Sequence, residues 1–288
     1  GYTRKPSGVM GCVLTGYAAL FAIWSVYAAN FAVMDPLAIV TLFLSFMLVL
    51  VFSTISAVPD RPSERADQIP WIDLALAALS IACGVYFATN LEAISTRITL
   101  LDPLTNVDTF FATVLILTCL EVCRRTVGIL LTVIVILFMA YNLYGHLLSG
   151  AMGHGYISYE HFLDIMVFTT DGLFGTPLKV AATYVFLFVL FGTFLANAGG
   201  GDFFNNLAAS VAGTKVGGPA KIAVVSSGLY GTISGSPTSD VVTTGSITIP
   251  MMKRAGYPAT VAGGVEVAAS TGGSVLPPVM GSAAFIMS

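Results

Sequence analysis

The 288-residue chain is 56% hydrophobic and only 9% charged, with a mean hydropathy of +0.87. Soluble domains carry roughly a quarter of their residues as charges, so a soluble enzyme or nucleic-acid-binding module is excluded and the class is an all-α polytopic membrane protein. The net charge of −3 decides nothing, because in such proteins the placement of Lys and Arg carries the information.

Apolar runs long enough to span lie near residues 9–31, 36–58, 71–89, 109–122, 127–146 and 180–198. A spanning helix needs about 20 residues, so 109–122 is expected to continue into the segment before it. The first run leads at once into a second and is read as a retained helix, not a cleaved leader. Between the runs, Pro59–Pro70 is a charged loop and 90–108 is polar with Pro103. Residues 147–178 are rich in Gly, with a possible amphipathic helix from about Tyr159 to Thr170; 202–213 reads as a second, interfacial helix. Cys12, Cys83, Cys119 and Cys123 sit in or beside apolar runs and are read as buried small hydrophobes. His146, His154 and His161 are read as interfacial residues, not ligands. Gly1 is no start methionine and Ser288 lies inside an apolar run, so the chain is expected to be an N-terminal piece of a longer one.

Counting helices from a cytoplasmic N-terminus places Arg4, Lys5, Arg61, Arg65, Arg124, Arg125, Lys215, Lys221, Lys253 and Arg254 inside, provided 216–254 enters and leaves from one face. Only Arg97 and Lys179 fall outside, so ten of the twelve basic residues obey the positive-inside bias. Length agrees. The limbs 219–232 and 239–252 have about 14 residues each, or ~21 Å at ~1.5 Å per residue, too short for a hydrocarbon core of ~30 Å. A re-entrant helical hairpin satisfies both facts.

Two breaks interrupt this region: Gly231-Thr-Ile-Ser-Gly-Ser-Pro-Thr-Ser-Asp240 and Ser270-Thr-Gly-Gly-Ser-Val-Leu-Pro-Pro278. Unwound backbone at membrane depth survives only where protein or a water-filled cavity surrounds it, and paired broken segments point to the substrate and ion site of a secondary transporter. Ser236-Pro237 is a good helix start, which directs the second limb's partially positive end at the tip and suits an anionic group. Pro277 and Pro278 lack N–H groups and free the carbonyls of Gly273 and Ser274; Thr271 and Ser274 add hydroxyls. Together these offer hard oxygens to a Na⁺ ion. The competing reading is that Gly and Pro merely allow kinks and close packing; two breaks within 40 residues favour a site. Of the two deep acids, Asp240 is read evenly between a site role and helix-dipole compensation. Glu266 is read between a functional intramembrane acid and a buried interhelical hydrogen-bonding residue, with the second reading preferred.

These motifs resemble the tripartite ATP-independent periplasmic (TRAP) transporters of the type that fuses small and large membrane subunits. The likeness runs over about 120–288. It is carried by Glu121-Val-Cys-Arg-Arg-Thr-Val-Gly128, Gly172-Leu-Phe-Gly-Thr-Pro-Leu178, Gly231-Thr-Ile-Ser-Gly-Ser236, Val241-Val-Thr-Thr-Gly-Ser246, Pro250-Met-Met-Lys-Arg254, Ala269-Ser-Thr-Gly-Gly273 and Pro277-Pro-Val-Met-Gly281. Residues 9–122 match in hydropathy only. The resemblance implies a four-helix small-subunit-like region (1–125), connecting and scaffold helices (126–215), and the first hairpin and broken helix of an elevator-type transport fold (216–288). It implies a Na⁺-driven importer in a bacterial inner membrane, fed with organic anions by a periplasmic binding protein. Na⁺ binding falls by matching motif to Ser234, Gly235, Ser236, Thr271, Gly272, Gly273 and Pro277. Substrate binding is assigned to Ser236, Thr238, Ser239, Asp240 and Ser274. No cofactor is implied beyond Na⁺ as the coupling ion, and the second hairpin is expected beyond Ser288. The remaining alternatives are a Na⁺- or H⁺-coupled carrier without a binding protein, a membrane-embedded enzyme and a channel. The enzyme is disfavoured because no Ser/His/Asp spacing, HExxH or paired intramembrane aspartates occur.

Overall fold

The computed structural model describes residues 3–4, 8–30, 35–57, 69–150, 152–214, 216–277 and 280. No strand occurs among them, although Thr3 and Ile55 form an isolated antiparallel bridge. Among the described residues, six helical runs are long and apolar enough to cross a membrane, and the protein is an all-α polytopic membrane protein. Contacts cluster into two units, Gly1–Ala182 and Thr183–Ser288, a division that falls inside the expected connecting segment 126–215.

The first unit opens with α1 (Gly8–Asn30), α2 (Pro36–Thr54) and α3 (Trp71–Thr89), followed by the short α4 (Leu91–Thr96). Helix α2 starts where the Asp35 carboxylate accepts the Leu37 N–H and Pro36 occupies the first turn. The short run at 109–122 does extend, because Thr105 and Asp108 form a capping box that starts α5 (Asn106–Thr126) three residues earlier. Gly128, at φ 118°, turns the chain into α6 (Ile129–Tyr144). Ile129, Leu130, Leu137 and Phe138 of α6 are all more than 60% exposed, the expected state of a helix whose partner is lipid.

Phe52, Phe87 and Leu115, from α2, α3 and α5, share a core with Phe162, Leu163, Val167 and Phe174. The amphipathic segment is thus α7 (Tyr159–Val167), capped by the Ser158 hydroxyl on the His161 N–H. It is shorter than expected: Thr169 accepts the Asp171 N–H and turns the chain away from the helix. Its apolar face belongs to the core of α2, α3 and α5, a destination that a polar, glycine-rich 147–178 does not announce.

A buried charge network ties one end of this unit together. Asp73, in the first turn of α3, accepts from Arg4 at 2.6 Å and from Arg125 at 2.7 Å. Arg125 also reaches Glu121 at 2.7 Å and lies over the Phe52 ring. Buried charges persist when paired in this way. Arg4 and Arg125 come from segments that the positive-inside reading assigns to one face, and here they share one carboxylate. Lys5, Arg61, Arg65 and Lys215 lie outside the described residues.

The sixth apolar run passes from α8 (Thr176–Val180) through a π-helical turn at Ala181–Val185 into α9 (Phe186–Asn197). The second unit continues with α10 (Gly200–Ala212), α11 (Gly218–Ser234), α12 (Pro237–Thr243), α13 (Gly245–Arg254) and α14 (Ala259–Thr271). In α10, Asn205, Ala208 and Ala212 are buried, and Asn205 accepts from Ser226 of α11 at 2.7 Å. The helix read as interfacial therefore packs one face on α11, while Phe203, Leu207 and Val211 remain exposed.

Candidate functional site

Two limbs of a hairpin meet at a two-residue tip. Helix α11 starts after Gly217 (φ 74°) with Pro219 in its first turn and stops at Gly235, whose φ of 59° is left-handed. The Gly235 N–H closes on the Gly231 carbonyl at 3.0 Å. Helix α12 begins at Pro237, and its first bond runs from the Asp240 N–H to the Ser236 carbonyl at 3.0 Å. The 17 residues of α11 give ~25 Å, longer than the limb read from sequence and still short of a ~30 Å core. The second limb has one irregularity, at Thr244, where the β-branched run Val241-Val-Thr-Thr244 meets Gly245 and α12 passes into α13. Thr244 itself keeps helical dihedrals (φ −73°, ψ −39°), and its N–H still bonds the Asp240 carbonyl.

The second break lies at the end of α14, which tightens into a 3₁₀ turn at Gly272–Ser274. The Val275 and Leu276 N–H groups both return to the Gly272 carbonyl. Pro277 follows, exposed; Pro278 and Gly281 lie outside the described residues.

The two breaks touch through glycines. A Cβ on Gly231 would lie 2.5 Å from the Gly273 Cα and 2.9 Å from Asp240 Oδ2. A Cβ on Gly273 would lie 2.8 Å from the Gly231 Cα and would collide with the same carboxylate oxygen. Asp240 is 0% exposed; Oδ1 accepts from the Ser234 hydroxyl, and Oδ2 has no partner among the described residues. Ser234 Oγ in turn accepts the Ser236 N–H at 3.2 Å. A buried carboxylate oxygen without a partner is costly, and what it asks for is a cation or a donor.

Comparison with known proteins identifies the setting. Residues 114–288 match the family model of the tripartite ATP-independent periplasmic transporter, DctM component. The chain belongs to this family. Both breaks of this TRAP permease fall within the matched region. A relative from Pseudomonas aeruginosa, described as a C4-dicarboxylate TRAP transporter large permease protein, is 32% identical over 123 residues. That alignment covers 40% of this chain and 29% of the relative, so it spans under a third of the relative's length. No solved structure matches.

Of the residues singled out by sequence, the permease brings Ser234, Asp240 and Gly273 together, with Gly235 and Ser236 at the tip. It also adds Gly231, which sequence reading placed in the motif but not in the site. Others do not converge. The Thr271 hydroxyl donates to the Val267 carbonyl at 2.8 Å and the Ser274 hydroxyl to the Thr271 carbonyl at 2.9 Å, so both are spent on their own chain. Thr238 and Pro277 are exposed, Gly272 is partly so, and the side chain of Ser239 lies outside the described residues.

A second polar centre was half-seen. Glu266 of α14 is 0% exposed and is hydrogen-bonded between helices, as its sequence reading has it. Its donors were missed. Oε1 receives the hydroxyls of Ser227 (2.9 Å), Thr244 (2.6 Å) and Ser270 (3.3 Å), and Oε2 that of Thr248 (2.5 Å). The available signal was spacing: Thr244/Thr248 and Glu266/Ser270 are i, i+4 pairs, a polar stripe on otherwise apolar helices. Among the described residues, no group of three or more His, Cys, Asp or Glu could hold a metal ion. Hydroxyl and carbonyl sites of the alkali-ion kind need no such group.

Proposed function

We propose that this permease is the membrane component of a Na⁺-coupled secondary importer of organic anions, working by an elevator-type movement and receiving its substrate from a periplasmic binding protein. The observation that carries the reading is Oδ2 of Asp240, which has no partner among the described residues and is enclosed at 0% exposure where the hairpin tip meets the broken helix. An alkali cation suits a carboxylate oxygen surrounded by hydroxyls and glycine backbone, because carbonyls crowd in only where no Cβ intervenes. The cation set proposed is Ser234, Gly235, Ser236, Thr271, Gly272, Gly273 and Pro277. The Thr271 hydroxyl is engaged by the Val267 carbonyl, and its own carbonyl, which already accepts from Ser274, has a second lone pair to offer. Asp240 joins this set. The reading from sequence put it with the substrate, but a buried carboxylate repels an organic anion and attracts the coupling ion. Ser236, Thr238, Ser239 and Ser274 remain the proposed substrate residues. The relative's description makes a C4-dicarboxylate the first substrate to try, and no enzymatic step is proposed.

The deciding experiment is succinate uptake into proteoliposomes by the intact permease with its binding protein, under imposed Na⁺ or proton gradients. Uptake is expected to require Na⁺ and the binding protein. Uptake that follows a proton gradient without Na⁺ sinks the cation assignment, and uptake without the binding protein favours an autonomous carrier.

We also propose a cytoplasmic N-terminus, with the domain boundaries of the resemblance (1–125, 126–215, 216–288) and a hairpin entered from the cytoplasmic face of the inner membrane. The basic-residue bias supports this orientation, and the sharing of Asp73 by Arg4 and Arg125 supports placing both on one face. Single-cysteine labelling in cells is expected to reach positions 124 and 253 only from the cytoplasm and position 90 only from the periplasm. Periplasmic labelling of position 253 rejects the hairpin.

A further inference from the structure

We infer that Glu266 is a positioning residue for the cation site, setting the place of Asp240 through the joint at Thr244. This rests on the Na⁺ reading above.

Helix α12 carries Asp240, is only seven residues long and packs against α11 and α14; polar bonds hold it at both ends. At the tip end it is held by Ser234 and by the Asp240 N–H on the Ser236 carbonyl. At the other end stands Thr244, fully buried, whose N–H bonds the Asp240 carbonyl at 2.8 Å. The Thr244 hydroxyl has one proton and three acceptors in reach: the Asp240 carbonyl at 2.8 Å, Glu266 Oε1 at 2.6 Å and the Ser227 Oγ at 3.0 Å. Glu266 Oε1 is the nearest of them, so the proton goes to Glu266. The same holds for Thr248, which chooses between the Thr244 carbonyl at 3.0 Å and Glu266 Oε2 at 2.5 Å. Glu266 therefore pulls both threonines of the jointed limb toward α14. Ser227 of α11 completes the grip, 2.9 Å from Glu266 and 3.0 Å from Thr244.

Gly245 makes this approach possible: a Cβ there would stand 3.0 Å from the Glu266 Cγ. Glu266 thus joins α11, the α12/α13 joint and α14, the same three elements whose far ends bring Gly231, Asp240 and Gly273 together. Hydrogen bonding is what this role needs. A glutamine offers an oxygen to Thr244 and Ser227 and an amide proton to Thr248, whose hydroxyl turns to accept it.

The test uses the purified intact permease and reads the Na⁺-induced rise in melting temperature, titrated with NaCl at constant ionic strength, beside the yield of monodisperse protein. Glu266→Ala and Thr244→Val are each expected to raise the half-saturating Na⁺ concentration about tenfold, and the double variant no further than the weaker-binding single one. Glu266→Gln is expected to stay within about threefold of wild type, since it retains the bonds. An Ala variant that folds, melts lower and keeps the wild-type Na⁺ titration makes Glu266 merely structural and overturns the inference. If Glu266→Ala does not fold, Thr244→Val decides alone: an unchanged titration overturns it. Multiplicative effects in the double variant also overturn it, because the path would not run through Thr244. A wild-type permease that Na⁺ neither stabilises nor drives fails the underlying reading first and is seen without any variant.

Discussion

Gly273→Val is expected to abolish uptake while the permease still inserts and folds. The new Cβ would stand 2.8 Å from the Gly231 Cα and on top of Asp240 Oδ2. Neither obstacle is the far end of a flexible side chain. One is backbone, and the other is a carboxylate pinned by Ser234. The breaks must then separate, and overpacking of this kind costs ~1–3 kcal/mol. The functional loss is expected to be larger than the stability loss, because a misplacement of about 1 Å at a positioned site costs about 100-fold. Initial uptake rate per folded protein should fall at least that far, and Na⁺-induced thermal stabilisation should disappear with it. Gly263→Ala is the matched control: it lies in α14, the helix that leads into the Gly272–Ser274 turn, and its Cβ meets nothing within 4 Å. It should transport normally. A folded Gly273→Val protein with near-wild-type uptake would show that the Gly231–Gly273 approach takes no part in transport.

Much of this architecture is legible because lipid makes the rules local. A spanning run must satisfy its own backbone, so Pro36–Thr54 and Trp71–Thr89 can be read from hydropathy alone. Even the lengthening of α5 is written in Thr105 and Asp108, two residues that cap each other. The hairpin is legible for the same reason, since Gly235 and Pro237 act on their own neighbours. What cannot be read is what depends on residues far apart in the chain. The burial of α7 against Phe87 and Leu115 depends on α3 and α5 already standing together. The joint at Thr244 has a local cause in Val241–Gly245, but its anchoring is 22 residues away at Glu266. Gly231 is ordinary within its own helix; it matters only because Gly273 arrives beside it. Thr271 and Ser274 show the converse error. Their composition suggested ligand hydroxyls, yet a hydroxyl on a helix has its own i−4 or i−3 carbonyl always in reach, and both take it.

Asp240→Asn separates the two roles left open for this residue. The substitution keeps shape and the bond from Ser234, because the amide oxygen still accepts. It removes the charge and puts NH₂ where Oδ2 now stands without a partner among the described residues. If the carboxylate served only the dipole of α12, the loss would be a few tenths to ~1 kcal/mol, seen as a small drop in melting temperature with Na⁺ dependence intact. If it faces the coupling ion, the loss is an ion pair in a dry site. Even at an effective dielectric of about 20, unit charges 4 Å apart interact by about 4 kcal/mol, and relaxation leaves part of that. The half-saturating Na⁺ concentration for uptake is therefore expected to rise at least tenfold, with folded protein unchanged and the apparent affinity for succinate at saturating Na⁺ close to wild type. Removing an unpartnered buried charge also relieves desolvation, so the variant should melt higher than wild type in Na⁺-free buffer and lower in saturating Na⁺. This crossing of the two melting curves is specific to an ion-binding carboxylate; a variant that melts lower in both conditions, with its Na⁺ dependence unshifted, returns Asp240 to a structural role.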